Sequence, residues 1–385
     1  MIYLENAEIF QEGRFIKAHI FTAGERIKKI QAVDYHTLRD LDVKVYDCTG
    51  CFVIPGILDP HLHLAGGSGE KGGFSSQSAA ITIAECVRGG VTTLVGTLGV
   101  DTTTKTMPEL VARARAFNDV GLTAYCYTGG YDCPPRTITD SVRHDVIYIP
   151  EIIGVGEIAI ADRRAPEPTL HDLARSMVDA YVGGMLSNKP GISHIHAGGG
   201  DRRLQTLRDL MEVHVIVPHK IHITHIGRSK ALVEEAIEMA KRGCFVDLDL
   251  WDRDFVYWYK VYRDLGGPLD QLTVSSDAGI GSPSELWWEL RDAVLNHGYT
   301  LEELLPHFTV NTARALGLSR KGRILVEHDA DLTVIDAKNF EIKHVISRGQ
   351  VFLEDGKFVF SNRMDFSRRG LDIYGIGEEN DKKSS

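Results

Sequence analysis

The pattern of apolar and polar positions differs between the ends and the middle of the chain. Residues 1–50 alternate apolar and polar side chains over short runs that glycines interrupt, and residues 322–360 show a similar pattern. Alternation with a period of two is typical of β-strands with one buried face. We therefore expect both ends of the chain to build one small β-sandwich domain, from residues 1–50 and 320–362.

The middle of the chain, residues 51–319, alternates short β-branched runs with amphipathic stretches. Eight runs have strand character: 52–61, 91–95, 123–127, 152–160, 192–196, 221–225, 245–250 and 272–276. Strand–helix alternation indicates right-handed crossovers and a parallel sheet. Eight such units predict an α/β fold with a (β/α)8 TIM-like barrel. An open doubly wound sheet is the alternative, but its glycine-rich loop would follow the first strand directly, and here two histidines come first.

Composition narrows the class of protein. The 385 residues include 43 basic and 53 acidic side chains, and this net charge of −10 argues against a nucleic-acid-binding surface. No apolar run approaches the roughly 20 residues of a membrane span, and the N-terminus lacks a signal-peptide pattern. The six scattered cysteines predict reduced thiols in a cytoplasm, with Cys48 and Cys51 in structural positions. The polar residues 363–385 predict a mobile C-terminal tail.

Side chains that bind metal ions lie at the ends of the predicted barrel strands. His61 and His63 are one residue apart on the first strand, so both would face the same side. Carboxyl ends of barrel strands meet at one mouth, where these candidates should converge. They are His61, His63, Glu157, His196, His225 and Asp277. Imidazole and carboxylate suit zinc or another divalent metal, and a bridging Glu157 would let two ions share one hydroxide.

Ten short motifs occur along the chain in a specific order and spacing. They are PGILDPHLH at 55–63, followed by a glycine-rich stretch to Glu70, GVTT at 90–93, TGGY at 128–131, PRTIT at 135–139, DRR at 162–164, VGG at 182–184, KPG at 189–191, TH at 224–225, SSD at 275–277 and DADL at 329–332. With these motifs the chain resembles the metal-dependent amidohydrolase superfamily. Within that superfamily it is similar to the isoaspartyl (β-aspartyl) dipeptidases, up to about residue 360.

The resemblance implies how the metal ligands divide. His61 and His63 would hold the more buried of two divalent ions, with Asp277 beside it, and His196 and His225 would hold the second.

The resemblance also implies residues that bind the substrate. Glu70 would pair with an α-ammonium group, and Tyr131 would stabilise the developing oxyanion. Arg164 and Arg228 would grip carboxylates with their planar guanidinium forks. Ser282 would assist there, although the loop after Asp277 is one residue longer than the family pattern.

Two positions depart from the resembling family. The family bridges its metals with a carboxylated lysine, whereas residues 154–162 contain no lysine and Glu157 takes its place. An additional residue around Gly156 is expected to move the backbone inward and compensate for the shorter side chain. We therefore predict a bridge by Glu157 without a carboxylated lysine. The second departure is Val100, where the family has a threonine near the substrate.

The resemblance implies hydrolysis of the isopeptide (β-aspartyl) bond of isoaspartyl dipeptides, in a homo-oligomer. A hydroxide that bridges two ions, with zinc as the expected metal, would attack the amide carbonyl. Asp277 would accept its proton and deliver it to the leaving amine, while Tyr131 polarises the carbonyl. One alternative is another amidohydrolase, either a cyclic-amide hydrolase or an N-acyl amino acid deacylase. A third reading is a non-catalytic homologue that acts in assembly, which should have lost metal ligands.

Overall fold

The computed structural model describes residues 1–31, 42–68, 73, 75–250, 254–279 and 281–359. Glu70 and the predicted tail at 363–385 lie outside the described residues. The strands are β1 (Ile2–Gln11), β2 (Arg14–Ala23), β3 (Arg26–Gln31), β4 (Lys44–Asp47), β5 (Cys51–Pro55), β6 (Ile57–Leu62), β7 (Val91–Gly96), β8 (Thr123–Thr128), β9 (Ile152–Ile160), β10 (Ile192–Ala197), β11 (Ile221–Thr224), β12 (Phe245–Asp249), β13 (Leu272–Ser275), β14 (Leu332–Asp336), β15 (Ile342–Ser347), β16 (Gln350–Glu354) and β17 (Lys357–Phe358).

The helices follow the barrel strands. They are α1 (Ile83–Arg88), α2 (Met107–Val120), α3 (Val142–Tyr148), α4 (Leu170–Ser187), α5 (Gln205–Val213), α6 (Lys230–Lys241), α7 (Phe255–Asp264), α8 (Glu285–Asn296), α9 (Leu301–Phe308) and α10 (Val310–Ala315). Several begin at a threonine or serine whose side chain accepts a hydrogen bond from the third helical residue, as Thr106 and Thr169 do. Their apolar faces pack around the strands in one large core.

Strands β6 to β13 form a parallel sheet in sequence order, which confirms the predicted TIM-like barrel. Two backbone hydrogen bonds join the first and last strands beyond their ends: Asp277 donates to the carbonyl of His61 (3.0 Å), and His63 donates to that of Ala278 (2.8 Å). The ring of strands is therefore closed at its carboxyl end, and this closure brings Asp277 next to the two histidines.

The β-sandwich domain is built from both ends of the chain, as predicted. Its sheet follows the order β17-β16-β15-β14-β5-β1-β2-β3, with β4 paired to β1. Strand β14 runs antiparallel to β5, which places the C-terminal strands beside the N-terminal ones. Cys48 and Cys51 are buried free thiols of this domain, and burial raises the pKa of Cys48 to about 12.

The structure corrects the predicted first barrel strand at 52–61. Residues Cys51–Pro55 belong to the β-sandwich sheet, and the barrel begins at Ile57. Gly56 makes the crossing, and its N–H donates to the carbonyl of Asp331 in the sandwich domain (2.9 Å). A Cβ at Gly56 would lie 2.2 Å from the hydroxyl of Thr92 on β7, so a side chain at this crossing would clash with the barrel.

Within the part of the chain that the structure describes, no helix is both long enough and apolar enough to cross a membrane.

Candidate active site

The two histidines of the first barrel strand face the barrel interior. Alternation along β6 turns Leu62 outward into the core between strands and helices, while His61 and His63 point inward. Nε2 of His61 lies 3.4 Å from Oδ1 of Asp277, and Nε2 of His63 lies 3.1 Å from the same oxygen. The structure therefore brings this predicted trio together.

Glu157 enters the same space from the fourth barrel strand. Between the pairs Val155–Ser193 and Ile158–Ile195, strand β9 contains one residue more than β10. This is a β-bulge at Gly156 and Glu157, where the sequence predicted an additional residue. A bulge bends the strand locally and can re-aim a side chain. A Cβ on Gly156 would lie 2.6 Å from the carbonyl oxygen of His194, so the bend requires glycine.

Glu157 is fully buried at the centre of the four histidines. Its Oε2 lies 3.4 Å from Nε2 of His61, 3.1 Å from Nδ1 of His196 and 3.5 Å from Nε2 of His225. Its Oε1 lies 3.9 Å from Nε2 of His63. Oε2 thus lies near one histidine of the first pair and both histidines of the second, while Oε1 faces His63, so the carboxylate lies between the two pairs.

The polar atoms of this cluster fit divalent metal ions. Oε1 of Glu157 and Nε2 of His61 are buried and have no hydrogen-bond partner among the described residues. Leaving such atoms unpaired is costly unless a cation or water binds them. Ligand atoms of His61, Glu157 and His225 lie within 4.8 Å of one another, as do those of His61, His63 and Asp277. Both groups include His61, and imidazole and carboxylate together are the ligand types that suit zinc.

Three histidines have a polar partner on the ring nitrogen that points away from Glu157. Nε2 of His196 lies 3.0 Å from Asp162, and Nδ1 of His225 lies 2.8 Å from Asp249. Nδ1 of His61 lies 3.3 Å from the hydroxyl of Thr224. Such partners select the tautomer and orientation of a metal-binding imidazole.

None of these partner roles was predicted from the sequence. Asp162 lies in the DRR motif at 162–164, but no function was predicted for it. Asp249 ends the seventh strand, so the same strand-end criterion that found the histidines could have found it. Thr224 precedes His225 and carries no signal of its own.

The pKa values reflect carboxylates surrounded by imidazoles. Burial raises the pKa of Glu157, but His61 and the hydrogen bonds from His196 and His225 hold it well below its usual range. Burial lowers the pKa of His61, yet Glu157 raises it to about 9. At His225 burial is likewise outweighed, here by Asp249, and the pKa is raised to about 10. A metal ion that binds these histidines competes with protons, so its affinity rises with pH.

A cavity of about 310 Å³ borders the cluster. Besides His63, His225 and Asp277, its lining includes four of the positions that the sequence associated with the substrate: Val100, Tyr131, Arg164 and Arg228. The volume lies in the usual range of small-molecule sites. Two guanidinium groups and one phenol therefore line the same cavity as the candidate metal ligands.

Asp162 holds both arginines in place. Nε of Arg164 donates to Oδ1 of Asp162 (2.9 Å), and its NH2 donates to Oδ2 (2.8 Å). NH1 of Arg228 lies 3.6 Å from the same Oδ2. The guanidinium of Arg164 also stacks over the ring of Tyr131, with 5.1 Å from its central carbon to the ring centre. These contacts restrain the three side chains toward one region of the cavity.

One sequence-predicted residue, Ser282, is not part of this assembly. Ser282 directs its hydroxyl to that of Ser284, 2.8 Å away near the start of α8, and it does not line the cavity formed by the described residues. Glu70 lies outside the described residues.

The model of the amidohydrolase family matches residues 52–352. A crystal structure of β-aspartyl dipeptidase from Fervidobacterium islandicum AW-1 is 36% identical, covers 94% of this chain and 99% of its own, and superposes with a TM-score of 0.88. The same dipeptidase in complex with β-Asp-Leu dipeptide is 35% identical over the same shares, with a TM-score of 0.87.

A curated sequence relative gives a broader match. An imidazolonepropionase of Thermoplasma acidophilum is 22% identical over 357 residues, which cover 82% of this chain and 85% of the relative. The family model spans the whole barrel and part of the sandwich domain, and the match includes all six candidate ligands. On these grounds the chain belongs to the amidohydrolase family and is a hydrolase.

Proposed function

We propose that this chain hydrolyses the β-aspartyl bond of isoaspartyl dipeptides with two divalent metal ions, most simply zinc. The metal-binding residues of the proposal are His61, His63, Glu157, His196, His225 and Asp277. The observation that carries the proposal is the shared cavity, in which Arg164 and Arg228 border the same space as this cluster. The likeness to a β-aspartyl dipeptidase over 94% of the chain supports it.

The charge of the cavity wall matches this substrate class. A β-aspartyl dipeptide carries the α-carboxylate of aspartate, a C-terminal carboxylate and an α-ammonium group. Arg164 and Arg228 provide two guanidiniums, and Arg is the side chain that binds a carboxylate in a bidentate manner. Asp162 accepts two hydrogen bonds from Arg164, and both arginines line the cavity in which the substrate carboxylates are proposed to bind. Glu70 is the proposed partner of the ammonium group.

Bound divalent ions would supply an activated water and polarise the scissile carbonyl. Asp277 lines the cavity and is suited to take a proton from this water and deliver it to the departing nitrogen. The C–O bond forms first and gives a tetrahedral carbon, and the C–N bond breaks when this species collapses, with the proton delivered to the leaving amine. Tyr131 also lines the cavity, and its hydroxyl is proposed to donate to the carbonyl oxygen as negative charge develops.

A substrate panel tests the proposal. The zinc-loaded protein would be assayed with β-Asp-Leu, α-Asp-Leu, N-acetyl-leucine and dihydroorotate, before and after removal of metal with a chelator. We expect hydrolysis of β-Asp-Leu at least about 10²-fold faster than of the other three compounds, lost with the metal and restored by zinc. Equal rates for α-Asp-Leu and β-Asp-Leu, or a preference for the acylated or cyclic compound, would overturn the substrate assignment.

The match to an imidazolonepropionase favours a cyclic-amide hydrolase as the second candidate. A cyclic amide lacks the free α-ammonium group of a β-aspartyl dipeptide. Glu70→Gln should therefore leave the rate on a cyclic amide nearly unchanged, whereas it should raise KM for β-Asp-Leu. The response of this one variant separates the two candidates.

A further inference from the structure

A buried carboxylate lies behind the metal cluster, one layer deeper in the barrel. Asp247 on β12 is completely buried and accepts hydrogen bonds from three hydroxyls. Thr224 donates to its Oδ2 (2.9 Å), Ser275 to the same oxygen (2.5 Å) and Thr273 to its Oδ1 (2.6 Å). The three donors come from the strands on either side, β11 and β13. A buried carboxylate requires such donors, and each hydroxyl hydrogen is thereby directed at Asp247.

One of these hydroxyls connects Asp247 to the metal cluster. The single hydrogen of Thr224 is used on Asp247, so its oxygen can only accept from a second partner. That partner is Nδ1 of His61, 3.3 Å away. His61 must then carry its hydrogen on Nδ1, which leaves the lone pair on Nε2. This is the atom that lies 3.4 Å from both Glu157 and Asp277.

We propose that Asp247 is a positioning residue that acts through Thr224 to fix the ring orientation and tautomer of His61 for metal binding. The inference rests on the proposed function only in taking His61 as a metal ligand. It assigns a role to a carboxylate that touches neither the cavity nor any proposed ligand. Carboxylates that orient metal-binding histidines usually do so directly, whereas here a hydroxyl stands between the two.

The neighbouring hydroxyls provide matched controls. Ser275 donates to the same oxygen of Asp247 as Thr224 does, and Thr273 donates to the other oxygen. The hydroxyl of Thr273 lies 2.8 Å from Nε2 of His222, so it connects Asp247 to a different histidine. Ser275→Ala therefore removes one hydrogen bond from the carboxylate and leaves the link to His61 intact. Thr224→Val removes the link at nearly constant volume, and Thr224→Ser keeps the hydroxyl.

The test measures metal binding without substrate. Zinc affinity would be determined for the full-length wild type, Thr224→Val, Thr224→Ser and Ser275→Ala by competition with a chromophoric chelator. Cobalt(II) would replace zinc to record the visible absorption of each occupied site. We expect Thr224→Val to lower the affinity for one of two zinc ions by about 10–100-fold, which is the usual effect of losing an orienting partner. Its cobalt spectrum should change, while Thr224→Ser and Ser275→Ala remain near the wild type.

The outcomes separate this inference from the proposed function. If Thr224→Val binds both ions as tightly as Ser275→Ala does, Asp247 serves only barrel stability and the inference is wrong, although hydrolysis of β-Asp-Leu can stand. If the wild type binds no metal, both fail together. Asp247→Asn is a further variant, expected to lower zinc affinity like Thr224→Val. If Asp247→Asn fails to fold, Thr224→Val still decides the question. It removes only one of the three hydroxyls that donate to Asp247, so the carboxylate keeps two donors.

Discussion

His225 lies between two carboxylates, with Nδ1 2.8 Å from Oδ2 of Asp249 and Nε2 3.5 Å from Oε2 of Glu157. In the neutral imidazole only one nitrogen carries a hydrogen, so donation to Asp249 leaves the Nε2 lone pair for a metal ion. The backbone of His225 has a φ of 67°, a left-handed conformation that non-glycine residues seldom adopt. Asp277, with a φ of 47°, shares this feature, which clusters at functional sites.

Replacement of Asp249 tests this relationship. Asp249→Ala should weaken binding of one of two zinc ions by about 10–100-fold, because His225 loses the acceptor that orients it. Asp249→Asn should have a smaller effect, since the amide oxygen can still accept. Zinc titration monitored by calorimetry measures both. Asp264→Asn, at an exposed position of α7, is the matched control. Equal affinities for Asp249→Ala and this control would contradict the assignment.

Glu157 tests whether a simple carboxylate bridges two ions. Glu157→Gln keeps the size of the side chain but loses its negative charge and one ligand oxygen. We expect metal content by mass spectrometry to fall from two zinc ions toward one per chain, with kcat/KM reduced by at least about 10²-fold. Circular dichroism should report an unchanged fold. A variant with two tightly bound ions and wild-type activity would eliminate Glu157 as the bridge.

The sequence predicted the barrel well because each strand is a short β-branched run that a helix of clear period follows. It failed at Gly56, where two apolar strands, Cys51–Pro55 and Ile57–Leu62, adjoin without a polar break. They read as one strand, although they pair in different sheets. Hydropathy records that a segment is buried and not which partner buries it.

The grouping of the candidate metal ligands was predictable for a related reason. The carboxyl ends of all barrel strands lie at the same mouth, so the positions of His196 and His225 at strand ends were enough to predict that they lie close together. The contacts of Asp162 and Asp249 depend on rotamers and on distances between strands, which one-dimensional spacing does not encode. The expected roles of Arg164 and Arg228 could be read from motifs, but their shared attachment to Asp162 could not.

Asp277 is the proposed proton carrier, and its replacement should affect kcat most strongly. Asp277→Asn preserves shape but can no longer accept a proton from water at neutral pH. We expect kcat for β-Asp-Leu to fall by about 10²–10⁴-fold, the range for loss of general acid–base catalysis. The thermal midpoint should stay close to the wild type. Steady-state kinetics with metal content measured in parallel decides, and a wild-type kcat in the fully loaded variant would refute the role.

Arg228 should affect substrate binding more than turnover. Arg228 lines the cavity, and its NH1 lies 3.6 Å from Oδ2 of Asp162. Loss of a charged hydrogen bond to a carboxylate costs about 1.5–3 kcal/mol. Arg228→Met should therefore raise KM for β-Asp-Leu at least about tenfold. Arg115→Met, which alters an exposed pair with Glu151, is the control. An unchanged KM would exclude Arg228 from substrate binding.

His307 gives the protein a predictable sensitivity to acid, independent of the metal site. It is buried on α9, where burial lowers its pKa from 6.5 to about 4 despite a hydrogen bond to the carbonyl of Leu272. Between these values the unfolded chain binds a proton that the folded chain does not, so stability falls as pH decreases from 6.5 to 4. The loss from this residue is on the order of 3 kcal/mol and is absent above pH 6.5.

His307→Gln removes this titration. Thermal midpoints of the wild type and the variant would be measured by scanning fluorimetry from pH 8 to pH 4. The variant's midpoint should change less than that of the wild type across the lower half of this range, and the two curves should run parallel above pH 6.5, whatever constant offset the substitution introduces. Because each midpoint is compared with that of the same protein at another pH, a general loss of packing cancels. Curves that stay parallel down to pH 4 would show that His307 is not held neutral in the folded protein.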